Sequence, residues 1–183
     1  ENVWPGKPVP YLISINDCDE KGVNYCNPSQ FPDKSISRFI GSVDEDLEYY
    51  HWNHEIENKS IIKHLKNDYD RYAKEIVNII ALKTGKSDRI YSLEIIYVDQ
   101  EDKEKRFIVE SEYKIRDLLS DSFLFSSAFT IEKEEQGFNL HGKGWGHGVG
   151  LCQIGALGMA LTGKNSNQIL SHYYPGTEIK NLY

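Results

Sequence analysis

Between Gly142 and Gly150 the chain reads GKGWGHGVG, five glycines enclosing Lys143, Trp145, His147 and Val149. A loop that glycine-dense reaches backbone conformations and close approaches that a Cβ would forbid, so the few side chains it keeps are candidates for chemistry. His147 comes first. On such a loop its imidazole has no apolar face to fill and can donate to, or exchange a proton with, a ligand oxygen. A ring turned inward to hold the loop through backbone hydrogen bonds is the competing use. The apolar helical pattern that follows places a helix from about Gly150 to Thr162, whose first-turn N–H groups would offer donors beside His147 to an oxygen-rich ligand. Gln153, in that first turn, adds two donors and one acceptor. Trp145 presents a flat ring able to stack on a ligand or, equally, to anchor the loop in the core.

The elements that must position these groups are legible in outline. Residues 1–47 are rich in Pro, Asn, Asp and Ser and read as an irregular segment with one strand near Pro10 to Ile15; Tyr49 to Ile56 is a second strand. Residues 57–85 read as helical, because Ile61, Ile62, Leu65, Tyr72, Ala73, Ile76, Ile79, Ile80 and Leu82 recur at helical spacing up to Gly85. Residues 86–142 carry β-branched and aromatic runs at Arg89 to Val98, Lys105 to Ser111 and Phe123 to Glu132, with a polar turn at Asp99 to Glu104 and a short helix around Lys114 to Leu119. An antiparallel sheet follows from that pattern, and Phe138 to His141 adds a strand leading into the glycine loop. Residues 143–183 then hold the loop and two helices, the second from Ser166 to about Tyr174 with Asn165 and Gln168 spaced as a capping box and Pro175–Gly176 as its stop. The fold class is α+β. Tyr173 and Tyr174 sit about 100° apart on that last helix, so at most one of them faces a cleft.

Composition narrows the partners. The 183 residues carry 21 basic and 28 acidic side chains, a net charge of −7, which argues against nucleic acid. There is no run of 18 apolar residues to span a membrane, and the first residues do not form a signal peptide. Three cysteines are present. Cys18 and Cys26 share one loop, where a local disulfide, two free thiols and a metal pair are all open, the zinc reading being weakened by the lack of further ligands nearby. Cys152 lies at a helix start among Gly155, Ala156, Gly158 and Ala160 and reads as a small packed residue rather than a nucleophile.

GKGWGHGVGLCQIGALGMALTGK followed by ILSHYYPGTEI resembles the C-terminal signature of the SpoIID/LytB family, the stage II sporulation protein D and amidase-enhancer group. ENVWPGKPVPYLISIND, YYHWNHEI and IRDLLSDSFLFSSAFTIE resemble further segments of that family, so matching positions run from Glu1 nearly to Tyr183. The resemblance implies extracytoplasmic work on peptidoglycan, with glycan strands as partner and a cell-wall amidase as a second one. Sporulation members are lytic transglycosylases, in which one carboxylic acid protonates the glycosidic oxygen and the sugar's own 6-hydroxyl closes on the anomeric carbon. In the family that Glu stands upstream of the segment matched by Glu1 to Asp17, as do the Cys and His positions that bind zinc in some members.

The resemblance therefore places the acid, and any zinc, upstream of this chain, with no cofactor or metal set assigned here. His147 and Gln153 would position the strand, and Trp145, Lys143, Tyr173, Tyr174 and Asp17 would contact it. Lys143 stands where the family often has Arg, and Cys152 where it usually has Ser. Asp17 matches a family Asp, although stabilising a turn is an equally available task for it. A non-cutting peptidoglycan-binding or amidase-enhancing module is the alternative reading.

Overall fold

The computed structural model describes Lys7 and residues 9–31, 35–40 and 48–180, so the expected match at Glu1 to Pro5 lies outside the described residues. Two compact units emerge. One is continuous, His51–His147; the other joins the described residues before His51 to those after His147.

The continuous unit holds two antiparallel three-stranded sheets. In the first, β1 (His51–Glu57) pairs with β6 (Gly137–Lys143), which pairs with β5 (Phe129–Lys133). In the second, β3 (Ile90–Asp99) lies between β2 (Ala73–Thr84) and β4 (Glu104–Glu110). Helix α2 (Asn58–Tyr69) buries Ile61 and Leu65, and α3 (Glu112–Leu118) buries Ile115 and Leu118 in the same core as Leu93, Ile95, Phe138 and Leu140. The period of two in β6, with Phe138, Leu140 and Gly142 inward, is the pattern of a strand covered on one face.

The main correction falls on Ala73 to Thr84, expected as helix and found as a twelve-residue strand. Its buried residues Ala73, Ile76 and Ile79 recur every third position because the β2–β3 register slips between Ala73 and Glu75 and again between Ile76 and Asn78. Each slip sets an extra residue against the partner strand and converts a period of two into three, the spacing that mimics a helix. The strands expected as one sheet also divide: β5 starts only at Phe129 and joins β6 rather than β3 and β4.

The second unit is mainly helical, with α1 (Ser35–Ile40), α4 (Gln153–Leu161) and α5 (Ser166–Tyr173). Its core gathers Tyr25, Phe31, Ile36, Met159 and Tyr173. Pro10 to Ile15 forms no strand; a turn closes there, with Leu12 N–H donating to Val9 O at 3.0 Å. Helix α5 starts with the expected box, Asn165 Oδ1 accepting from Gln168 N–H and Gln168 Oε1 from Asn165 N–H, each at 3.0 Å. Helix α4 begins three residues later than expected, at Gln153, capped by Cys152. Gly150, with φ +76°, belongs to the approach rather than to the helix.

Candidate functional site: a pinned glycine loop and a thiol–carboxylate cluster

The continuous unit ends in the first half of the glycine loop, and the register of β6 fixes its root. Gly142 pairs with Trp52 of β1, and a Cβ at Gly142 would stand 2.1 Å from the Trp52 ring, so only glycine lets the indole cross here. Trp52 Nε1 then donates to Gly144 O at 3.3 Å. Ser126 Oγ donates to Lys143 O at 2.7 Å, Gly146 N–H to Phe125 O at 2.8 Å and Arg89 Nε to Gly146 O at 2.7 Å. Gly144 and Gly146 hold φ of +72° and +83°, the left-handed region that a Cβ disfavours. Pinned on both sides, Trp145 keeps 37% of its surface exposed and meets the edge of Phe125 at 5.3 Å between centroids.

His147 is half-buried at the end of this unit rather than sealed in its core. Lys143 is exposed, with its ammonium 2.6 Å from Asp88 Oδ2. His141 bridges Asn53 Oδ1 at 2.7 Å and Glu132 Oε2 at 3.2 Å. Sequence alone did not reveal Arg89, Trp52, Phe125 or Ser126 as supports of the loop. They come from distant segments, and no spacing announces them.

The carboxylates Glu94 and Glu112 are buried and paired, Glu94 with Arg106 at 3.3 Å and Glu112 with Arg116 at 3.4 Å. A carboxylate so tied is a structural partner.

The second unit gathers three of the predicted residues, Asp17, Cys26 and Tyr173, and adds Cys152 to them. Asp17 Oδ1 accepts from the Tyr173 hydroxyl at 2.5 Å, while Oδ2 accepts from Cys26 Sγ at 2.8 Å. Cys26 Sγ lies 3.2 Å from Cys152 Sγ, and Cys152 Sγ in turn accepts from Gly155 N–H at 3.2 Å. In the first turn of α4, expected to offer open donors, the cap sulfur takes the Gly155 N–H. His172 Nε2 is buried 3.5 Å from Asp17 Oδ1, without hydrogen-bond geometry.

The local bridge between Cys18 and Cys26 is not formed; both are free thiols, as is Cys152. The reason is register: Cys18 bridges to Asn24 and Tyr25 N–H donates to Asp17 O, which carries Cys26 past Cys18 and toward Cys152. Cys152 is thus more than packing filler.

Charge follows that geometry. The contact with Cys26 holds the Cys152 thiol below its ordinary range, helped by the Gly155 N–H, while the same contact and burial push Cys26 up. Burial, then the bond to Asp17, pushes the Tyr173 hydroxyl up as well. Tyr173 is 1% exposed, so it is the inward member of its pair. Tyr174 is half-buried, with its ring edge-on to Tyr11 at 6.3 Å between centroids, and Gln153 is exposed at the start of α4.

This α+β architecture with a glycine-loop signature has recognisable kin. Over 66 residues, 36% of its length, the chain is 35% identical to the amidase enhancer of Bacillus subtilis, covering 9% of that protein. Over 66 residues it is 39% identical to stage II sporulation protein D of Bacillus amyloliquefaciens, covering 19% of that protein. An uncharacterized protein of Brachyspira hyodysenteriae is 48% identical over 64 residues, 17% of its length. The chain thus spans less than a fifth of these relatives, and the matches carry a SpoIID/LytB family relationship. It belongs to the family described as Domain of unknown function (DUF8618), whose model matches residues 1–150. Among the described residues no helix is long and apolar enough to cross a membrane.

Proposed function

We propose that this chain is the glycan-holding part of a peptidoglycan-acting protein that works outside the cytoplasm, of the kind whose catalytic Glu lies in a preceding segment. The observation that carries the reading is Trp145, left 37% exposed on a loop that four hydrogen bonds hold still. An aromatic face fixed before binding stacks on the apolar face of a sugar with little ordering cost. His147, two residues on, supplies a polar edge for sugar hydroxyls or an acetamido group. Kinship with stage II sporulation protein D supports the same direction.

In this mechanism the Glu protonates the glycosidic oxygen, the sugar 6-hydroxyl closes the anhydro ring, and the loop holds the strand in register for that attack. A protein extended through the upstream segment then releases anhydro-sugars from denuded glycan strands. His147→Ala lowers the release on the order of 100-fold, and Trp145→Ala weakens glycan binding.

The similarity to an amidase enhancer favours a second reading, in which the chain binds glycan and raises the activity of a cell-wall amidase without cutting. Glycan binding with no anhydro product, together with faster amidase turnover on addition, decides for it. Loss of neither binding nor release in the Trp145 and His147 variants overturns the assigned roles.

A further inference from the structure

The cluster of Asp17, Cys26 and Cys152 serves no step of that reading. Three ligand atoms, one carboxylate oxygen and two sulfurs, lie within 4.8 Å of one another. All three side chains are half-buried, and all three are acids converging on one point. Such a convergence is held together either by protons or by a cation. From these contacts we propose that Asp17, Cys26 and Cys152 form a binding site for a thiophilic divalent cation of the zinc class.

The donor set fits that class. Two sulfurs with one carboxylate suit Zn2+, whereas Mg2+ and Ca2+ require oxygen ligands. Two thiolates on tetrahedral zinc, at Zn–S of about 2.3 Å, stand roughly 3.7 Å apart. The 3.2 Å between Cys26 and Cys152 is within a side-chain adjustment of that value, whereas a disulfide must close to about 2.05 Å.

The surroundings are those of a ligand set oriented from behind. Tyr173 donates to Oδ1 of Asp17, leaving Oδ2 turned to the sulfurs, which is how outer partners fix ligating carboxylates. The buried His172 Nε2, lacking a hydrogen-bond partner, stands at the edge of the cluster. Three protein ligands leave the fourth position of the metal to water or to a substrate oxygen. Binding replaces the thiol protons with the metal, releasing up to two protons per cation and changing no oxidation state. None of its residues belongs to the pinned loop, so its existence does not depend on the glycan reading.

The test is direct metal analysis of the reduced, purified chain after equilibration with Zn2+, and of the same chain with Co2+, whose thiolate charge-transfer absorption reports sulfur ligation. The expected result is about one cation per chain with that absorption, retained in Cys18→Ser and lost in Cys26→Ser and Cys152→Ser. Serine is itself a strong helix N-cap, so Cys152→Ser keeps α4 intact, with circular dichroism confirming it. Tyr173→Phe weakens Zn2+ binding roughly 10–100-fold. The proposal is overturned if the parent chain binds no stoichiometric Zn2+, if both Cys→Ser variants keep it, or if mass spectrometry shows Cys26 and Cys152 joined, lighter by two hydrogen atoms, before any metal is added.

Discussion

Cys26 and Cys152 stand 126 positions apart in the chain and bring their sulfurs to 3.2 Å, with Asp17 completing the group from a third place in the sequence. The contact ties the turn after Asp17 to the start of α4, and Tyr173 of α5 closes it from below. Removal of any one member leaves the others with buried polar atoms to satisfy.

Tyr173→Phe deletes only a hydroxyl, yet that hydroxyl is the donor to a half-buried carboxylate and leaves Asp17 Oδ1 short of a partner. The expected loss is about 1–3 kcal/mol, read as a lower urea midpoint at unchanged slope. An unchanged midpoint would show that the bond contributes nothing net.

Gly158→Ala separates helix propensity from packing. Alanine would favour the isolated helix by about 1 kcal/mol, but the new Cβ would stand 2.1 Å from Tyr25 O, a backbone atom. Overpacking against a fixed carbonyl costs typically 1–3 kcal/mol, so the melting temperature falls. A rise would mean that the turn holding Tyr25 yields freely.

Two tryptophans should part company. Trp52 is 5% exposed beneath the loop, so Trp52→Ala costs about 3–5 kcal/mol of stability. Trp145→Ala leaves the melting temperature nearly unchanged and weakens glycan binding. Should Trp145→Ala instead unfold the protein at ordinary temperature, the ring is an anchor and the stacking role is lost.

At the β3–β4 turn, the N–H of Lys103 and then that of Glu101 hold the Asp99 carboxyl below the usual carboxylate range, with the Lys105 ammonium assisting. A carboxylate depressed in the folded state contributes stability that is complete above its unfolded value near 4 and is lost as pH falls through the folded one. Asp99→Asn should therefore lower stability at neutral pH and leave it nearly unchanged below the folded value, flattening part of the acid limb of a stability-against-pH curve. An identical acid limb would show the turn to be energetically silent.

How much of this was legible in the sequence depended on whether the signal was local. The capping box at Asn165 and Gln168, helix α2 and strands β1, β3, β4 and β6 were readable because each is written in neighbouring residues. Strand β2 was not, since its bulges impose a spacing of three on Ala73, Ile76 and Ile79 and disguise a ladder as a helix. The glycine loop announced itself and named Trp145 and His147, whereas Arg89 and Ser126, which hold it, gave no sign. Cys26 and Cys152 were each visible, and their meeting was not, because the shorter spacing from Cys18 drew the eye to the wrong pair. The one hint was a Cys standing in a motif position more often occupied by Ser.

The continuous unit His51–His147 interrupts the other in the chain. Emerging from the ribosome, residues 51–147 carry both three-stranded sheets and the core between them within their own span. The segment before them depends on later residues: Asp17 and Cys26 meet Cys152 and Tyr173 only once the chain has been made through residue 173. Until then two thiols wait unpaired, and the completed cluster records that synthesis has passed Tyr173.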